Sequence, residues 1–177
     1  MRAWYFTEMP YPHLPPMEQM TTMRVSLPAK HFDPKIGADL YNRYLDEHMI
    51  ADELGLDIFV NEHHQTAYGL MPAPNIIAAA LARSTQHGKI CILGRALPLI
   101  NNPIMLAEEF AMLDHLSGGR IVAGFVRGIG TEYFSNAVNP TFSYERYYEA
   151  HDLILKAWTE PGPFSYRGKH YQFDYVN

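Results

Sequence analysis

Hydrophobic positions along the chain fall into short apolar runs that alternate with stretches of helical period, and the alternation repeats several times, as a parallel α/β fold requires. Residues 3–6 (Ala-Trp-Tyr-Phe) predict a first strand, followed by a long Pro- and Met-rich loop to about Ile36 that has neither period. Leu40, Tyr44, Ala51 and Leu54 predict one face of a helix over 37–54, with Gly55 suited to the left-handed stop after it. A second strand follows over 56–60. Pro74 opens a helix in which Ile76, Ile77, Ala80, Leu81 and Ser84 carry the spacing as far as Gly88, and 89–93 reads as a third strand.

Asn102-Pro103 is a cap followed by a first-turn proline. Leu106, Phe110 and Leu113 then form an i, i+4, i+7 stripe that Gly118-Gly119 ends, and 120–126 is the fourth strand. Ser143 is the expected cap of a last helix with Tyr147, His151, Ile154 and Trp158 on one face. Pro161-Gly162-Pro163 breaks it, and 164–173, turning near Gly168, reads as a hairpin. Right-handed strand–helix–strand units build either an open doubly wound sheet or part of a closed (β/α)8 barrel, and periodicity does not choose between them. A complete barrel takes roughly 250 residues, so about four βα units imply either a fragment or a second polypeptide covering the open edges.

Composition narrows the function. The 177 residues are enough for one substantial core, and 14 basic against 19 acidic residues, with no Lys/Arg block, argue against a nucleic-acid partner. The lone cysteine, Cys91, lies in an apolar run and reads as a buried strand residue, with nothing to suggest an oxidising compartment. No stretch is apolar for long enough to span a membrane or act as a signal peptide, so a cytoplasmic protein is the expectation.

In parallel α/β proteins the chemistry sits just after the strands. Three such places carry candidates: Asn61-Glu62-His63-His64-Gln65, Gly94-Arg95 leading to Asn101-Asn102, and Arg127-Gly128-Ile129-Gly130. An imidazole at a strand end can move a proton near neutral pH, although a His-His pair is also a common structural feature. A metal is disfavoured, because His-Glu-x-x-His is absent and adjacent strand residues point to opposite faces. Arg127, flanked by glycine, is either a cation for an anionic or planar ligand or half of a salt bridge to Glu132 or Glu109. His63 and Arg127 are expected to emerge from neighbouring strands on one rim. Neither a dinucleotide fingerprint nor a Gly-x-x-x-x-Gly-Lys loop is present. Glu108 and Glu109 are explained by the start of their helix, and the methionines between Met9 and Met23 by a loop over the mouth of the fold.

Leu54-Gly55-Leu56-Asp57-Ile58-Phe59-Val60-Asn61-Glu62-His63-His64, Asn102-Pro103, Ala107-Glu108-Glu109, Leu113-Asp114-His115-Leu116-Ser117-Gly118-Gly119-Arg120 and Tyr166-Arg167-Gly168-Lys169-His170-Tyr171 resemble, in order and spacing, the successive motifs of the luciferase-like flavin monooxygenases. The resemblance implies a (β/α)8 TIM-type barrel, of which residues 1–177 form the N-terminal part of one domain. It also implies reduced FMN and O2 as reactants, with a C4a-hydroperoxyflavin oxidising a small organic substrate. A separate flavin reductase and a homo- or heterodimer are further implications. By the same likeness His63 is the active-site histidine with Glu62 beside it, Leu93 and Gly94 pass the flavin ring, and Arg127 lies near its phosphate. A dry, loop-covered mouth would protect such chemistry from water. Two rival readings are a deazaflavin-dependent oxidoreductase on the same barrel and a non-catalytic flavin-binding or partner subunit.

Overall fold

A computed structural model describes residues 1–22, 27–67 and 69–177. Four strands, β1 (Trp4–Phe6), β2 (Asp57–Val60), β3 (Ile90–Ala96) and β4 (Ile121–Val126), form one sheet, with helices α1 (Pro34–Glu53), α2 (Pro74–Ser84) and α3 (Pro103–Ser117) in the crossovers. Every pairing is parallel, and the strand order is β1-β2-β3-β4. A doubly wound sheet reverses direction at a switch point, whereas strands added strictly in sequence make the arc of a barrel. After β4 come α4 (Gly130–Ser135), α5 (Ser143–Thr159) and an antiparallel hairpin of β5 (Phe164–Arg167) and β6 (Gln172–Val176).

The elements follow from local chemistry, with some shifts from expectation. Helix α1 begins at Pro34 because the Asp33 carboxylate accepts from the N–H groups of Lys35 and Ile36 at 2.8 and 3.3 Å, the same cap-then-proline device as Asn102-Pro103. Its buried stripe is Leu40, Tyr44, His48 and Ala51; Leu54 falls past the helix end and is 73% exposed. In α2 the buried face is Ile77, Ala78 and Leu81, and Ile76 points outward. Ser143 is not a cap but a buried residue inside α5, with Phe142 at the cap position. Helix α4 has no hydrophobic period in the sequence, and β3 runs three residues beyond Leu93. Met23 lies outside the described residues.

Alternation along the strands divides the side chains between two faces. Ile58, Val60, Ile90 and Ile92 are fully buried in the core shared with Leu40, Leu81, Leu106, Phe110 and Ile154 of the helices. On the opposite face Phe6, Leu93 and Val122 are exposed, while Cys91 is buried, which pushes its thiol up to about 11. Between Ile92 and Arg95 the β3–β4 register slips: Ile92 pairs with Ala123, but Arg95, three residues on, pairs with Phe125.

The amino ends of the strands are fixed by charge. The Asp52 carboxylate accepts from the N–H groups of Gln86, His87 and Gly88 at 2.9, 3.1 and 2.6 Å. Burial alone would raise its carboxyl, but those bonds outweigh it and hold the group below its usual range. Asp57 pairs with Arg2 at 2.6 Å and accepts from the Lys89 N–H at 2.8 Å. Arg120 donates to Thr85 Oγ1 and to the carbonyls of Gly88, Ala82, Thr85 and Ser117. At the hairpin, Glu149 of α5 accepts from the N–H groups of Lys169, His170 and Tyr171 at 3.1, 3.0 and 2.8 Å. A Cβ at Gly168 would lie 1.8 Å from Glu149 Oε1 and would displace that carboxylate from the N–H groups it accepts from.

Candidate active site

At the carboxyl ends of the four strands lies a cleft of about 650 Å3. Its walls are Trp4, Phe6, Phe59, Leu93, Val126 and Ile129, and its polar edge carries Asn61, Glu62, His63, Arg127 and Glu132. All five site residues expected from sequence, Glu62, His63, Leu93, Gly94 and Arg127, border this one cleft. The expectation that His63 and Arg127 come from neighbouring strands is corrected: they follow β2 and β4, and β3 runs between them.

Period two explains what β2 contributes, since Phe59, Asn61 and His63 succeed one another along the cleft. The His63 side chain is 22% exposed, and its Nε2 lies 3.7 Å from Oε1 of Glu8, on the loop after β1. Val60, between Phe59 and Asn61, is buried in the core. Glu62 has a side chain only 2% exposed, with Oε1 2.6 Å from His64 Nε2. Its Oε2 accepts from the Ala96 N–H at 3.2 Å and lies 3.4 Å from Arg95 Nε, an ion pair without hydrogen-bond alignment at that nitrogen. Oε1 is thus engaged within the segment after β2, and Oε2 joins that segment to β3. His64 spends its Nε2 on Glu62, so the two adjacent histidines are not a pair aimed at one ligand. Among the described residues no three His, Cys, Asp or Glu side chains are gathered closely enough to hold a metal ion.

Arg127 resolves between its two alternatives. Glu132 caps α4 by accepting from the Ile129 N–H at 2.9 Å, and Glu109 accepts from Asn75 Nδ2 at 2.6 Å. Neither forms a salt bridge with Arg127, whose guanidinium instead lies 4.2 Å from the centroid of the Tyr144 ring. The Arg127 carbonyl accepts from the Tyr133 hydroxyl, which fixes the backbone of the loop. Gly94 sits where β3 and β4 run close together, since a Cβ there would be 2.8 Å from the Gly124 carbonyl oxygen. Asn61, named in the sequence only as part of the segment that carries His63, is 7% exposed, and its Oδ1 is buried with no hydrogen-bond partner among the described residues. The alternation that points His63 into the cleft would have identified Asn61 and Phe59 as well. Glu8 and Tyr144 carry no such signal, because their positions depend on how distant loops pack.

The model of the luciferase-like monooxygenase family matches residues 23–177. An uncharacterized protein of Sinorhizobium fredii, y4wF, is 34% identical over 168 residues, covering 87% of this chain and 48% of that protein. The oxygenase component of the flavin-dependent trigonelline monooxygenase of Acinetobacter baylyi is 29% identical over 80% of this chain and 39% of its own length. The chain thus spans less than half the length of these relatives. Among solved structures, the monooxygenase RslO1 of Streptomyces bottropensis matches 97% of this chain and 47% of its own with a TM-score of 0.76 at 25% identity. The oxygenating constituent of 3,6-diketocamphane monooxygenase from Pseudomonas putida, in complex with FMN, matches 79% of this chain and 40% of its own with a TM-score of 0.72 at 21% identity. The four-strand arc is accordingly about half of a (β/α)8 barrel.

Proposed function

The chain belongs to the luciferase-like monooxygenase family, and on that premise we propose that the intact protein is a flavin-dependent monooxygenase that uses reduced FMN and O2 to oxidise a small organic molecule. The observation that carries this reading is the convergence of His63, Asn61, Arg127 and the β3 turn at Leu93-Gly94 on one apolar-walled cleft. Its volume falls within the roughly 300–1,000 Å3 usual for small-molecule sites.

The residues present fit a flavin mononucleotide. Trp4, Phe6, Phe59, Leu93 and Val126 offer apolar surface to a planar ring system. Among the described residues, Asn61 Oδ1 is an acceptor lacking a donor, and Arg127 has no salt-bridged carboxylate to compete with a phosphate. When bound, reduced FMN supplies the electrons that activate O2. The chain's own residues do the rest: Arg127 holds the anionic group, the backbone at Leu93 and Gly94 supports the ring, and the apolar walls keep water away. His63 holds or moves a proton at the cleft edge. Glu62 keeps the His63 segment in place without touching a ligand. The remaining walls would come from the other half of the barrel, making residues 1–177 the N-terminal part of a single catalytic domain.

The 3,6-diketocamphane relative's complex with FMN supports the cofactor assignment, and the name "oxygenase component" on the trigonelline relative supports a separate flavin reductase as partner. The single unbridged Cys91 suits the cytoplasm, where both would be found. The full-length protein, titrated with reduced FMN and with reduced deazaflavin while O2 uptake is followed, is expected to consume O2 with FMN alone. His63→Ala should lower substrate oxidation by about 100-fold or more. Hydride transfer from the deazaflavin without O2 uptake would overturn the oxygenase reading. Tight FMN binding without turnover would make the protein a binding subunit.

A further inference from the structure

The loop after β1 brings Glu8 to the cleft edge, with Oε1 3.7 Å from His63 Nε2. Two independent features hold it there. First, the loop is tied to the segment that follows His64. Tyr11 N–H donates to the Ala67 carbonyl at 3.0 Å, Leu70 N–H to that of Met9 at 2.9 Å, and His63 N–H to that of Met71 at 3.1 Å. Met9, next to Glu8, is fully buried with φ 50°, and its N–H is taken by Thr7 Oγ1 at 3.1 Å. Second, Gly69 lies between the loop and the imidazole. A Cβ there would stand 2.8 Å from the Glu8 carbonyl oxygen and 3.0 Å from His63 Cδ2, so any larger residue would drive the two apart. The Glu8 backbone and the His63 ring are both packed on the same glycine.

A carboxylate can only accept, so the N–H that it meets at Nε2 favours the tautomer protonated on that nitrogen and leaves the lone pair on Nδ1. The distance of 3.7 Å exceeds a direct hydrogen bond. Rotation of the Glu8 side chain, which is 40% exposed, or one bridging water would close it. We propose that Glu8 is a positioning residue that fixes the orientation and tautomer of His63. This inference rests on the reading of His63 as the group that handles a proton in the cleft.

The test uses the full-length protein with 15N-labelled histidine, the His63 signals being assigned by their loss in His63→Gln. In the wild type Nδ1 is expected to resonate as the unprotonated nitrogen. Glu8→Ala should move both ring signals toward a mixture of tautomers and lower kcat about tenfold with little change in KM. Glu8→Gln, which keeps an acceptor oxygen, should fall between the two. Unchanged His63 shifts in Glu8→Ala would overturn the proposal, as would a fall in kcat accompanied by an equal loss of folding stability. A wild-type protein without flavin-dependent turnover would instead overturn the proposed function, and the nitrogen shifts would still decide the place of Glu8.

Discussion

At the scale of single residues, His63 and Glu62 both border the cleft, but the His63 side chain is 22% exposed while the Glu62 carboxylate is 2% exposed and bonded to protein groups. Glu62 was expected to share the chemistry. Its oxygens are instead occupied by His64, Arg95 and the Ala96 N–H, so its removal is expected to act on the fold. Glu62→Ala would leave Arg95 facing an unpaired, partly buried site, and the denaturation midpoint should register a loss of about 3 kcal/mol. The candidate positions were legible because strand ends are where a parallel fold places its ligands. The partner of Glu62 was not, because Arg95 is 33 positions away in sequence and reaches it only through the slipped register of β3.

Among the elements, α1 shows both what a hydrophobic period reveals and what it hides. Leu40, Tyr44 and Ala51 mark its buried face, but the period is completed by His48, which is fully buried with Nδ1 2.5 Å from the Tyr44 carbonyl and its ring edge-on to Tyr5. Burial holds the His48 imidazole below its ordinary range, the backbone hydrogen bonds only partly opposing it. A depressed folded-state value means that the unfolded chain takes up the proton first. The neutral ring's contribution is therefore intact above about pH 6.5 and is lost as pH falls from there toward the folded value. Chemical denaturation of His48→Gln should show a lower plateau near pH 8 and a shallower decline toward pH 5 than the wild type. From β1, the Tyr5 hydroxyl donates to Glu47 of the same helix at 2.8 Å, and burial together with that carboxylate pushes it up to about 12. The start of α1 was missed because Asp33-Pro34 lies in a Pro-rich stretch that conceals a capping pair.

For the whole molecule, the two ends of the sheet carry different duties. The amino ends of the strands are joined by Asp52, Asp57 and Arg120, while the carboxyl ends surround the cleft. Arg120→Ala is accordingly expected to cost about 3 kcal/mol of stability, read from urea unfolding, while the folded fraction keeps its ligand affinity. The sequence could not distinguish a doubly wound sheet from a barrel because both repeat the same strand–helix unit; the order of the strands distinguishes them. The register slip at Leu93-Gly94 also sets the charge inventory of the mouth. With unbroken alternation Arg95 would lie on the same side as Leu93, adding a second guanidinium to the cavity. The extra residue sends that cation behind the sheet to Glu62, so among the described residues Arg127 is the one arginine lining the cleft and a single fixed guanidinium faces what enters this half of the mouth.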